Sequence, residues 1–289
     1  MLTLVLRPLL VVAALSALSF HAQAQTAPKL EMPAASPAAK VEQRVGVTDV
    51  VVTYNRPSVK GRKVFGELVP FGEVWRTGAN TATAISFSTD VKFGGAAVPA
   101  GKYALFTIPG EAEWTVILSK VTGGWGAYQY DAKDDLVRVT AKPAKLGDLV
   151  ETFEIGLGDL RDGSATLNLA WERTRVGVKL EVDIVSVLKP QIEAAMSAEG
   201  KKPYLAAAMF YYEHNIDLKK SLEWIEGAIK EQPEAFWAIY RKGLILEKMG
   251  DKKGAAAAAE ASLALAEKAQ GGIRTEYMNL NKALLARLK

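Results

Sequence analysis

The run Lys102-Tyr-Ala-Leu-Phe-Thr-Ile108, Pro109-Gly-Glu-Ala-Glu113, Trp114-Thr-Val-Ile-Leu-Ser119 decides the fold of the first half of this chain. Two segments rich in β-branched and aromatic residues flank a Pro-Gly turn signal, with no helical period between them. The same grammar recurs on both sides. Asp49-Val-Val-Val-Thr-Tyr54 and segments 84–89, 136–141, 151–157, 165–171 and 176–185 are strand-like and separated by Gly, Pro and Asp. Gly94-Gly95, between Val91-Lys-Phe93 and Ala97-Val98, is a hairpin signal of the primed-turn kind. Many short strands without intervening helices predict an antiparallel β-sandwich over residues 41–187, not βαβ units.

After Pro190 the composition shifts to Leu, Ala, Lys and Glu, with apolar residues three and four apart. The expected class is therefore α+β, with two domains: the β-sandwich and a helical region over 188–289. Sliding the chain by 34 residues aligns Asp217 with Asp251, Lys219 with Lys253, Ser221 with Ala255 and Ala228 with Ser262. Gly243, Gly250-Asp251 and Pro233 fall where a helix-hairpin repeat of that period needs a small residue, a turn and a closing proline. This region resembles tetratricopeptide hairpins over 202–269, with 271–289 as a capping helix. The family's tryptophan position is filled by Leu205 and Ile239. The resemblance implies an inner groove lined by Met209, Glu213 and His214 in one copy and Trp237, Tyr240, Leu244 and Lys248 in the other. Such grooves take peptides. The alternative is that the protein's own segments fill it.

Residues 1–24 read as a secretory signal, with Arg7 in the n-region, an apolar run at 9–18 and Ala22-Gln23-Ala24 as the cleavage site. That run is shorter than the roughly 20 residues needed to span a bilayer. The expectation is a periplasmic or secreted product without a membrane span, preceded by a flexible Ala/Pro-rich leader at 25–40.

Composition excludes much chemistry. Cysteine is absent, and the histidines are His21, inside the signal, and His214. Disulfides, thiolate metal sites and cysteine nucleophiles fall, and a serine triad would have to use His214, which has no evident serine partner. No P-loop or EF-hand pattern occurs, and no cofactor or metal is expected. Asp131, Asp134 and Asp135 read more simply as a turn than as calcium ligands. A net charge of +4 is too weak a bias to argue for nucleic acid. Hydrolysis by two carboxylates survives elimination, with Glu67, Glu73, Asp90 and Asp131 eligible.

The densest segment runs from Tyr54 to Asn80 through Pro57, Gly61, Gly66, Pro70, Gly72 and Gly78. Val64, Phe65, Leu68, Val69 and Phe71 are expected to fold back on the sandwich as a packed, function-bearing loop. Arg56, Lys60, Arg62, Lys63 and Arg76 outnumber Glu67 and Glu73 within it. Two readings stand: the guanidinium forks hold an anion, or they pin the loop to its own acids and carbonyls. The candidate ligand-binding set is Tyr54, Arg56, Arg62, Glu73, Arg76 and Asn80, joined by Trp125 and Tyr128. The last two belong to the aromatic loop Gly123-Gly-Trp-Gly-Ala-Tyr-Gln-Tyr130, which would suit a sugar or peptide, or simply cap the sandwich. Trp75 is read as a core residue.

The segment 54–80, with Thr83-Ala-Ile-Ser-Phe-Ser-Thr-Asp90, Pro99-Ala-Gly-Lys-Tyr-Ala-Leu-Phe-Thr-Ile-Pro-Gly110 and Glu113-Trp-Thr-Val-Ile-Leu118, closely resembles the bacterial exported family known as domain of unknown function 2911. The resemblance spans residues 41–187 and implies a β-rich exported domain without assigning an activity. Together these readings favour a non-catalytic envelope protein that binds an anionic or glycan ligand and engages a protein or peptide through its helices. A carboxylate-based polysaccharide hydrolase is the alternative.

Overall fold

The structure, a computed structural model, describes residue 30 and residues 32–289. The expected signal segment lies outside the described residues. Among the described residues two antiparallel sheets are followed by six α-helices, as the two periodicities predict. The strands are β1 (Ala38–Val45), β2 (Thr48–Asn55), β3 (Thr83–Phe87), β4 (Val91–Phe93), β5 (Ala96–Val98), β6 (Gly101–Ile108), β7 (Trp114–Ser119), β8 (Asp135–Ala141), β9 (Ala144–Arg161) and β10 (Ser164–Glu181). One sheet has the order β1-β2-β3-β6-β7-β8, the other β5-β4-β10-β9.

Alternation sets the packing. Along β2, Val50, Val52 and Tyr54 point inward while Asp49 and Thr53 face out. They meet Phe153 and Ile155 of β9 and Leu167, Leu169, Val178 and Leu180 of β10 in one core. Strands β6 and β7 are buried on both faces, which explains their near-continuous apolar runs. On the outer face Ala104, Phe106 and Ile117 are covered by Val74, Ala127 and Tyr130.

Several boundaries differ from the sequence reading, including β9, which extends well beyond 151–157 on both sides. β1 begins at Ala38, within the stretch read as leader, and pairs with β2 from Ala38 opposite Asn55. Segments 165–171 and 176–185 are one continuous strand up to Glu181, bent at Glu172, where φ is 56° and the register with β9 shifts. The first helix starts at Ile184, so Pro190 lies inside it.

The helices are α1 (Ile184–Ser197), α2 (Tyr204–Glu213), α3 (Leu218–Glu231), α4 (Phe236–Lys248), α5 (Lys252–Ala266) and α6 (Gly271–Leu288). Asp183, Asp217 and Asp251 cap α1, α3 and α5 by accepting backbone N–H bonds from the first turn. α1 joins the halves. Ile184 lies in the sandwich core and Met196 in the helical core, while Phe210 of α2 packs against both. Among the described residues no helix is long and apolar enough to cross a membrane.

Candidate functional site

The excursion between β2 and β3 is pinned at several points. Val59 N–H donates to Glu151 O at 2.7 Å, Phe153 N–H to Pro57 O at 2.9 Å, and Trp75 and Thr107 exchange backbone bonds of 2.7 and 2.9 Å. Val64, Phe65, Val69 and Trp75 enter the core, as expected of the first three and of the tryptophan. Leu68 and Phe71 do not: they stay 42% and 39% exposed, so the expected burial of these two is corrected. Trp75 stacks on Trp171 with centroids 5.8 Å apart, and Phe153, Phe65 and Trp114 close the cluster edge-on. Each such pair adds about 0.5–1.5 kcal/mol beyond its burial. The Trp75 indole N–H donates to Gly78 O at 3.1 Å.

This rigid segment presents Arg76. The backbone after it is strained: Thr77 has φ 56° and Asn80 φ 59°, both left-handed. For a β-branched threonine that conformation is a true outlier, held in place only because the surroundings over-determine it. The Thr77 hydroxyl lies 3.1 Å from that of Thr107, and its carbonyl accepts from Thr83 Oγ1 at 2.5 Å.

The three arginines separate into two roles. Arg56 Nε donates to Phe153 O at 2.9 Å, and its fork lies 3.9 Å from Glu154. Arg62 donates through Nε to Val59 O at 2.9 Å and through Nη2 to Ser58 O at 2.6 Å. Both pin the loop. Arg76 is different. It is half-buried, its Nε is shielded from solvent with no acceptor, and it forms no ion pair among the described residues. Burial draws its pKa below the ordinary arginine value, opposed by nearby Tyr128. An unpaired buried donor on a cation costs at least about 1–3 kcal/mol.

Arg76 lines a cavity of about 400 Å³ with Ser36, Arg62, Leu68, Pro70, Glu73, Val74 and Asn80. Trp75 and Trp171 form its buried floor. Of the sequence-derived candidates the structure thus unites Arg62, Glu73, Arg76 and Asn80. Arg56 is absent from the cavity wall. Tyr54 is also elsewhere: it is 6% exposed, and its hydroxyl accepts from Ile155 N–H at 2.9 Å inside the sandwich.

The aromatic loop adjoins this cavity. Gly126 N–H donates to Asn80 O and Ala82 N–H to Gly124 O, each at 2.9 Å. Trp125 and Tyr128 are 62% and 88% exposed, so neither caps the sandwich; Tyr130 does, edge-on to Phe106.

Among the described residues Glu73 is the one acid that lines the cavity. The other eligible acids are engaged elsewhere: Glu67 with Lys63, Asp90 with Ala100 N–H, and Asp131 with Lys133. Among the described residues no group of three or more His, Asp or Glu is placed to hold a metal. The sequence reading missed Ser36, which lies in the stretch read as leader, and Trp171, whose place in the floor depends on sheet pairing.

In the helical half, Met209, His214, Trp237 and Tyr240 are half-buried and Glu213 and Lys248 exposed. Much of their capacity is used internally. His214 packs on Phe210 at 4.5 Å, Trp237 on Phe236 at 5.1 Å and Tyr240 on Tyr277 of α6 at 5.8 Å. Lys248 Nζ donates to Tyr212 O at 2.7 Å and sits 4.7 Å over its ring.

A family model described as "Protein of unknown function (DUF2911)" matches residues 36–180. No curated protein matches the chain.

Proposed function

The chain belongs to this family of unknown function, and from that premise we propose that it is a non-catalytic binding protein of the bacterial envelope whose Arg76 cavity takes a small anionic ligand. One observation carries the reading. A half-buried guanidinium, with no ion pair or side-chain hydrogen bond among the described residues, lines a cavity that a small molecule can enter. The strained Thr77 and the clamps around it are consistent with a segment held for binding at some cost in stability. Binding suits the cavity better than polysaccharide hydrolysis, since the latter needs two flanking carboxylates and the wall carries Glu73 alone. The signal-like segment 1–24 supports export to the periplasm or beyond.

The helical region is, on this account, a tetratricopeptide-like array that braces the sandwich and offers a face to a protein or peptide. The starts of α3 and α5 at Leu218 and Lys252, each behind an aspartate cap, keep the repeat seen in the sequence.

The test is small-molecule capture. Immobilised wild-type chain, Arg76→Ala and Arg56→Ala, each verified as folded by circular dichroism, are exposed to envelope extract, washed and eluted for mass spectrometry. An anion retained by wild type and Arg56→Ala and lost with Arg76→Ala is expected. Equal retention on all three, or no anion on any, overturns the proposal.

A further inference from the structure

Resting on the reading of the Arg76 cavity as an anion site, we propose that its ligand is a zwitterion, an α-amino acid or very short peptide with its ammonium on Glu73 and its carboxylate on Arg76. Glu73 supplies the second half of the argument. Its carboxylate lines the same cavity as Arg76, three residues away along the chain, yet among the described residues it makes no ion pair or side-chain hydrogen bond. Two opposite charges on one wall, unpaired with each other, present one pole for an anion and one for a cation. A ligand bearing only a negative charge would bring it toward the Glu73 carboxylate as well as the guanidinium; a zwitterion matches both. Arg76 offers a planar fork, which suits a carboxylate.

The apolar part of the wall agrees. Leu68, Pro70 and Val74 sit beside the two charges and provide a surface for an aliphatic side chain. A sugar ring finds less. The indoles in the cavity belong to Trp75 and Trp171, which are 6% and 2% exposed and already stacked on each other. The open aromatic faces, on Trp125 and Tyr128, are not part of the cavity lining. At about 400 Å³ the space lies at the small end of ligand cavities, matching an amino acid or dipeptide better than an oligomer.

Isothermal titration calorimetry of the full-length chain separates this inference from the reading beneath it. The probes are the standard amino acids in both enantiomers, dileucine, the N-acetyl and amide derivatives of each, and glucuronate. The proposal expects at least one free amino acid or dipeptide to bind, with its N-acetyl and amide forms weaker by about tenfold or more, the consequence of losing a charge-assisted bond. Glu73→Gln should erase the preference for the free amine while keeping carboxylate binding, and Arg76→Gln should remove both. Glucuronate or N-acetyl forms binding as tightly as any free amino acid, and lost with Arg76→Gln, would leave the anion site standing and overturn the zwitterion. So would the absence of binding by every amino acid and dipeptide.

Discussion

Trp75 and Thr107 exchange two backbone hydrogen bonds of 2.7 and 2.9 Å, so the irregular excursion is tied to the C-terminal end of β6 immediately before Arg76. Just past Arg76, Thr77 is fixed by Thr107 and Thr83. The arginine therefore sits between two anchored residues, and its Nε is shielded without an acceptor. Arg62, in the same excursion, instead folds its fork onto Ser58 O and Val59 O.

Thr83→Val tests that anchoring. The substitution keeps the shape and removes the hydroxyl that donates to Thr77 O. A buried carbonyl losing this partner should cost about 1–3 kcal/mol in urea unfolding. The same variant should weaken ligand binding at Arg76, whose carbonyl accepts from Thr83 N–H at 3.2 Å. Unchanged stability would show that the clamp is not what holds the strained threonine.

Gly46 is the second pressure point. Its φ is 56°, and a Cβ added there would stand 2.5 Å from Ile184 Cγ2 and 2.7 Å from Asp162 O. The β1–β2 turn, the β9–β10 turn and the start of α1 thus converge on one position. Gly46→Ala should destabilise by about 2 kcal/mol or more, combining backbone strain and overpacking. Thermal unfolding with separate β and helical signals by circular dichroism checks it. Equal stability to wild type would contradict the close approach.

How much of this was legible beforehand can be traced through single residues. The paired runs around Pro109-Gly110 and the hairpin at Gly94-Gly95 were readable because alternation and turn chemistry are local. The continuity of β10 was not, since Arg173 and Arg175 interrupt the apolar run where the strand bends at Glu172. For the candidate site, the sequence marked the loop that lines the cavity, with Arg62, Glu73, Arg76 and Asn80, yet offered no way to tell Arg76 from Arg56. That distinction depends on which carbonyls β9 brings within reach, a long-range property. Ser36 and Trp171 join the cavity for the same reason.

Alkaline titration should resolve two tyrosines. Burial, aided by hydrogen bonding to Asp135, pushes Tyr130 up to about 12, and burial with a bond to Glu193 does the same for Tyr211. In the unfolded chain a phenol loses its proton near pH 10. The stabilisation is therefore complete below about pH 10 and lost as pH rises through about 12, because the unfolded chain ionises first. Burial also raises Tyr103 and Tyr212, so absorbance at the phenolate band should show several late-ionising groups, the latest including one that disappears in Tyr130→Phe. A single transition near pH 10 for every tyrosine would contradict both environments.

The most direct measurement is the Nε–H resonance of Arg76 in arginine-labelled protein, assigned by its disappearance in Arg76→Lys. As acetate is added, followed by leucine, the account predicts a saturable shift of the Arg76 signal, with the Arg56 signal unmoved because its Nε donates to Phe153 O away from the cavity wall. An Arg76 resonance that stays fixed throughout, or one that moves only in step with that of Arg56, would contradict an anion site at this guanidinium.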